Sequence, residues 1–182
     1  MAGRENLLLL AMASVKAQDF SDYIHIVIGD GPCPEAQRIC LGLGGHYLTT
    51  GEKKGNWGAD ARNIGIEQGN AEYFMFLDDD NTLLRWSLQN LHQLANENSN
   101  PPLLAQRIHY YKRWDGGWLV HPMIMPPTYA CWDNLNACIR KDIIKQVRFG
   151  KSYEHDLQLI KDCMAITGTE PILTANIGGI HV

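Results

Sequence analysis

At 182 residues, 45% of them hydrophobic, the chain is long enough to bury a sizeable core, and one globular domain is expected. A net charge of -4, a pI near 5.9 and the lack of any basic run exclude a general nucleic-acid binder, so a phosphate-bearing partner must be small or bridged by a metal ion. Cys33, Cys40, Cys131, Cys138 and Cys163 form no CxxC pair, which excludes a zinc knuckle and a disulfide framework and suits reduced thiols in a cytoplasmic protein.

At the amino end, Arg4 followed by the apolar stretch Leu7 to Ala13 has the outline of a signal peptide. Glu5 offsets Arg4, however, and good helix formers from Glu5 to Ala17 predict a buried amphipathic helix instead. No segment reaches the roughly 18 apolar residues of a spanning helix. Tyr23 to Ile28 reads as a strand that ends in the loop Gly29-Asp30-Gly31-Pro32, which puts Asp30 at a strand's carboxyl end. A helix follows over Pro34 to Leu41, a short strand over His46 to Thr49, and a second helix over Asp60 to Gln68, stopped by Gly69-Asn70.

Next come the apolar residues Tyr73 to Leu77, a buried strand that delivers Asp78, Asp79, Asp80 and Asn81. Three consecutive carboxylates repel one another, and a divalent cation that also holds a phosphate would relieve the repulsion. The competing reading is a solvated turn in which Asp78 or Asp80 caps a helix that starts near Thr82. That helix would run from about Leu83 to Asn96. Alternating strands and helices over the first hundred residues predict a largely parallel sheet covered by helices, an α/β fold.

Beyond Pro102, Leu103 to Tyr111 and Trp118 to His121 read as strands around the turn Asp115-Gly-Gly117. Tyr110, Tyr111, Trp114, Trp118, Tyr129 and Trp132 crowd one span, either as a substrate-facing wall, for which Trp132 is the candidate, or as core. Residues 140–147 and Tyr153 to Thr167 read as helices, and Pro171 to Ala175 as a last strand. The texture change near Pro102 marks a subregion of one domain, residues 1–182, and not a domain boundary.

The order of four segments resembles the GT-A glycosyltransferases of the family 2 type, the group that includes the spore-coat polysaccharide glycosyltransferase. They are AMASVKAQDFSDYIHIVIGDG from Ala11 to Gly31, GADARNIG from Gly58 to Gly65, the run Tyr73 to Asn81, and YEHDLQL from Tyr153 to Leu159. The resemblance covers Glu5 to His181 and implies a GT-A, Rossmann-like mixed sheet, mostly parallel and flanked by helices, with a nucleotide-binding half to about residue 100 and an acceptor-binding half after it. It implies that Asp80, with Asp78, ligates Mn2+ or Mg2+, that His181 is a further metal ligand, and that Asp79 contacts the ribose. Asp30 would accept a hydrogen bond from the nucleobase, and Arg62 would neutralise diphosphate. Asp156, with Glu154 as the alternative, would be the general base. His155 stands between them where the family pattern has adjacent acids.

The chemistry asks for the same residue types. Loss of diphosphate from a nucleotide sugar leaves charge that a hard cation on carboxylates stabilises, and an inverting transfer needs one base for the acceptor hydroxyl. Competing roles are an ion pair of Arg62 with Asp60 or Glu67, an inert first-turn Asp156 and a disordered terminal His181. The expected function is thus an inverting, metal-assisted transfer of a sugar from a nucleotide-diphosphate donor to a glycan or related hydroxyl acceptor. The alternatives are a non-catalytic nucleotide- or glycan-binding relative and a metal-dependent phosphohydrolase. The family's usual first strand has no counterpart before the first helix, which leaves three expectations: a truncated reading frame, replacement by a segment such as Pro171 to Thr174, or loss of tight donor binding. Unpaired backbone beside the gap makes some replacement or self-association into a homo-oligomer expected.

Overall fold

The structure, a computed structural model, describes residues 4–114, 117–123 and 132–181. Helix α1 (Glu5–Lys16) leads to strand β1 (Ile26–Gly29), α2 (Pro34–Gly42), β2 (His46–Thr49), α3 (Ala59–Gln68) and β3 (Tyr73–Met75). Then follow β4 (Thr82–Leu83), α4 (Ser87–Glu97), β5 (Leu103–Trp114), β6 (Gly117–Met123), β7 (Ala137–Arg140), α5 (Lys141–Ile144), α6 (His155–Thr167) and β8 (Ile172–His181). Short 3-10 turns precede α3 at Asn56–Gly58 and β7 at Asn134–Asn136. No described helix is long and apolar enough to cross a membrane.

Six strands form one sheet in the order β3-β7-β5-β8-β4, with β6 paired to β5, while β1 and β2 form a second, two-stranded sheet. The α/β layout is the expected one, but its pairing is less parallel than the sequence reading implies. Parallel pairs are β1 with β2 and β5 with β8; β3–β7, β5–β7, β5–β6 and β4–β8 are antiparallel. A helical crossover links β1 to β2, which parallel pairing requires, whereas β5 and β6 join as a hairpin.

Two further expectations are corrected. The helix placed near Thr82 begins at Ser87, because Thr82 and Leu83 pair with Ile180 and Gly179 of β8, so neither Asp78 nor Asp80 caps it. The segment from Pro171 does not stand in for a first strand beside β1, since Ile172 and Leu173 pair with Leu104 and Ala105 inside the large sheet.

The main core lies between that sheet and helices α3, α5 and α6, where Ile66, Ile139, Ile144, Ile160 and Cys163 are fully buried. Helix α3 spans both sheets. A Cβ on Gly65 would lie 3.2 Å from Ile28 Cδ1 of β1, and Gly69 abuts the Phe74 ring of β3. Among the described residues, nonetheless, β1 has only β2 as a strand partner and β3 only β7. The described cysteines are unpaired, and burial pushes the Cys138 and Cys163 thiols up to about 12, which suits inert packing groups.

Candidate active site

Strand β3 ends at Met75, and the chain then presents Asp78, Asp79 and Asp80 beyond its carboxyl end, anchored by fully buried Asn81, whose amide donates to the Asp78 carbonyl at 3.1 Å. Two arginines answer the three carboxylates. Arg62 of α3 pairs with Asp78, and Arg4, at the start of α1, reaches both Asp79 and Asp80, the latter at 2.8 Å. Burial pushes the Asp78 carboxyl above its usual range; Arg62 opposes the shift, while the charges of Asp133 and Asp156 add to it. Asp78, Asp133 and Asp156 therefore share one electrostatic site, although they come from three parts of the chain.

Arg62 is nearly buried, with a side chain 12% exposed. Besides Asp78 it donates to the Trp57 carbonyl at 2.7 Å, approaches His155 Nε2 at 3.2 Å and lies over the Phe149 ring. It makes neither of the ion pairs weighed from sequence: Asp60 accepts from Asn56, and Glu67 faces Arg148. The Trp57 carbonyl is aimed by four consecutive residues of positive φ, Gly55 (71°), Asn56 (48°), Trp57 (56°) and Gly58 (80°). A tryptophan held left-handed is strained, and strain of this kind gathers at functional sites. Its ring is exposed and meets the exposed Tyr153 ring edge-on, 5.4 Å between centroids.

Helix α6 separates the two candidate bases. Glu154 is exposed at its cap position, and Asp156 is half-buried in its first turn. Asp156 Oδ1 accepts from Asn134 Nδ2 at 2.7 Å and lies 2.7 Å from His155 Nε2. The short contact is satisfied when Nε2 carries the ring proton, so Asn134 and His155 together orient the carboxylate. Asn134 is itself fixed by a capping box in which Asp133 accepts from the Leu135 amide at 2.8 Å and the Asp133 amide donates to Asn136 at 2.9 Å.

The other oxygen of Asp133 faces His181 Nδ1 at 3.0 Å. Burial favours the neutral His181 ring, but the hydrogen bond and charge of Asp133, with the pull of Asp80 and Asp78, leave the imidazole above its ordinary value. The glycines before His181 do allow close backbone approach. A Cβ on Gly178 would lie 1.8 Å from Gln106 Oε1, and one on Gly179 2.7 Å from Leu135, so β8 sits directly against the turn that carries Asp133.

Asp30 follows β1 and accepts from the amides of Lys54 and Gly55 at 2.7 and 2.8 Å, which folds the 51–55 loop over it. Trp132 lies in the main core, 8% exposed. Tyr129 and the stretch 124–131 lie outside the described residues; Tyr110, Tyr111, Trp114 and Trp118 fall on the β5–β6 hairpin. An open depression of about 530 Å³ lined by Asn70, Glu72, Arg140 and Lys145 lies at the amino end of β3, away from the carboxylates.

Asp78 and Asp80 offer hard oxygens and His181 an imidazole, a donor set that fits Mg2+ or Mn2+. Among the described residues no three His, Cys, Asp or Glu side chains are already gathered around a metal position.

Residues 2–150 match the family model described as glycosyl transferase family 2. The chain belongs to glycosyl transferase family 2. A curated relative, the GalNAc(5)-diNAcBac-PP-undecaprenol beta-1,3-glucosyltransferase of Campylobacter jejuni, is 34% identical over 100 residues, which cover 52% of this chain and 32% of that protein. Among solved structures, S. aureus TarS 1-349 superposes with a TM-score of 0.77 at 14% identity, over 100% of this chain and 58% of that one. Its complex with UDP-GlcNAc gives 0.76 at 15% identity, over 97% and 55%. The fold is therefore that of the GT-A enzymes, and the chain spans about a third of the curated relative and somewhat over half of these TarS chains.

Within the family 2 frame, sequence reasoning had not singled out Arg4, Asp133, Asn134, Trp57 or His155 for a role. The pattern Asp133-Asn-Leu-Asn136 was legible as a capping box. Nothing local signals that Arg4 reaches a segment more than seventy residues away.

Proposed function

We propose that the chain carries the donor-binding and catalytic face of an inverting, metal-assisted glycosyltransferase that moves a sugar from a nucleoside-diphosphate donor, UDP-linked in the first instance, to a hydroxyl of a glycan acceptor. The observation that carries this reading is the convergence of Asp156, oriented by Asn134 and His155, on the same site as Asp78 at the carboxyl end of β3. Asp156 takes the proton of the acceptor hydroxyl as its oxygen attacks the anomeric carbon. The bond from that carbon to the diphosphate oxygen breaks, and its electron pair leaves with the diphosphate. A divalent cation held by Asp80, with Asp78 and His181, would supply the charge that stabilises the departing diphosphate.

Arg62 acts at one remove, holding Asp78 and lying against His155. Asp79 is the proposed ribose contact. Asp30 supports the base-binding loop through the Lys54 and Gly55 amides and keeps free lone pairs for the base. The exposed Trp57 and Tyr153 rings offer a stacking surface for a sugar at the mouth of the site.

The test is incubation of the purified chain with UDP-sugars, Mn2+ and oligosaccharide acceptors, with product followed by NMR. Transfer with inverted anomeric configuration supports the reading, and retained configuration removes the single-base mechanism. A second reading, a non-catalytic nucleotide or glycan binder, draws on one observation: β1 and β3 lie in separate sheets with no described strand between them. Nucleotide binding without any turnover would select it.

A further inference from the structure

Arg4 is a poor residue for the place it occupies. It stands at the cap position of α1 with no capping side-chain bond, where Ser, Thr, Asp or Asn is favoured and where the helix dipole repels a cation. Its guanidinium instead reaches across to Asp79 and Asp80. A residue that breaks local rules in this way is expected to answer to something outside its own element.

The attachment of α1 is uneven. Its second half is fixed: Ala11, Met12 and Val15 are buried, the Leu83 amide donates to Ser14 Oγ at 3.0 Å, and Tyr23 donates to the Val15 carbonyl at 3.0 Å. Its first two turns are looser, with Glu5, Asn6, Leu9 and Leu10 exposed. The Arg4 carbonyl accepts the Leu8 amide at 2.9 Å, so the residue that holds the carboxylates also closes the first helical turn.

We propose that Arg4 is an exchangeable internal cation, which holds Asp79 and Asp80 while no divalent metal is bound and must withdraw when a metal takes Asp80, loosening the first turn of α1. This rests on the reading of Asp80 as a metal ligand. The two cations compete for one carboxylate, so metal affinity is lowered by the fraction of molecules in which Arg4 is seated. Arginine suits the role because its planar fork spans two carboxylates at once, which a lysine ammonium does less well.

The experiment is a calorimetric Mn2+ titration of the parent chain, Arg4→Ala and Arg4→Lys, paired with hydrogen exchange at the Leu8, Leu9 and Leu10 amides. Arg4→Ala is expected to bind Mn2+ about tenfold more tightly than the parent and Arg4→Lys by a smaller factor, as expected when a seated competitor is removed. Mn2+ should speed exchange at those three amides in the parent and leave them unchanged in Arg4→Ala, which a purely electrostatic effect of the charge would not do. Mn2+ binding that is equal in all three proteins, or that leaves parent exchange unaltered, overturns the competition and leaves the metal reading of Asp80 standing. No Mn2+ binding to any of them overturns both.

Discussion

The large sheet and the small one are covered to different degrees, and the candidate site draws on both. In the large sheet Leu103, Leu104, Ala105, Ile108 and Ile139 are essentially inaccessible, closed in by α3, α5 and α6 on one face and α4 on the other. In the small sheet every residue of β1 is only half-buried, and His46 and Thr49 of β2 are exposed. Asp78, Asp133, Asp156 and His181 stand on or beside the well-covered sheet, where buried partners fix each carboxylate. Asp30 stands on the other, where its partners are loop amides. Asp78, Asp133 and Asp156 are thus held by buried partners, and the group proposed to recognise a base is held by loop amides.

The contrast is broken most forcefully by truncating the core. Ile139→Ala, at a fully buried position, should lower unfolding free energy by about 2–5 kcal/mol, whereas Val27→Ala in β1 should cost about 1 kcal/mol or less. Denaturant titration of both variants checks this, and equal losses would mean that the two sheets are equally well packed.

Asp30→Ala sharpens the comparison. It removes both acceptors of the Lys54 and Gly55 amides, so hydrogen exchange at these two positions should accelerate while the large sheet stays protected. Nucleotide affinity should fall whether or not Mn2+ is present, and a defect seen only with metal would move Asp30 to the diphosphate end of the site.

The smallest effect concerns pH. Burial holds the His25 ring below its ordinary value of about 6.5. The folded state binds this proton less readily than the unfolded chain does, so the contribution of His25 to stability is complete above the ordinary value and is lost as pH falls through the depressed one. His25→Gln should therefore flatten the fall in melting temperature between about pH 7 and pH 5. An unchanged slope would assign the acid response elsewhere.

Much of this was legible in the residues. Strand β2 coincides with the predicted His46 to Thr49, α2 and α3 begin within a residue of their expected starts, and α3 ends before Gly69 as expected, because Pro34 and Gly69 act locally. The acidic run was recognisable for the same reason. What was not legible depends on long-range pairing. Thr82 and Leu83 form a strand only because β8 lies beside them, and the Asn134–Asp156 contact joins segments twenty-two residues apart through a capping box that looks merely structural in sequence. The direction of strand pairing was likewise set by connections after Pro102 that periodicity does not encode.

Asp156 is the residue on which the proposed transfer depends most directly. Donor affinity and turnover measured side by side in the parent chain, Asp156→Asn and Glu154→Gln separate binding from proton transfer. Asp156→Asn should bind the nucleotide-sugar donor within about twofold of the parent while turnover drops roughly a hundredfold or more, and Glu154→Gln, altered at an exposed carboxylate, should remain close to the parent. Near-parent turnover in Asp156→Asn would contradict the assignment of the base and, with it, the proposed mechanism.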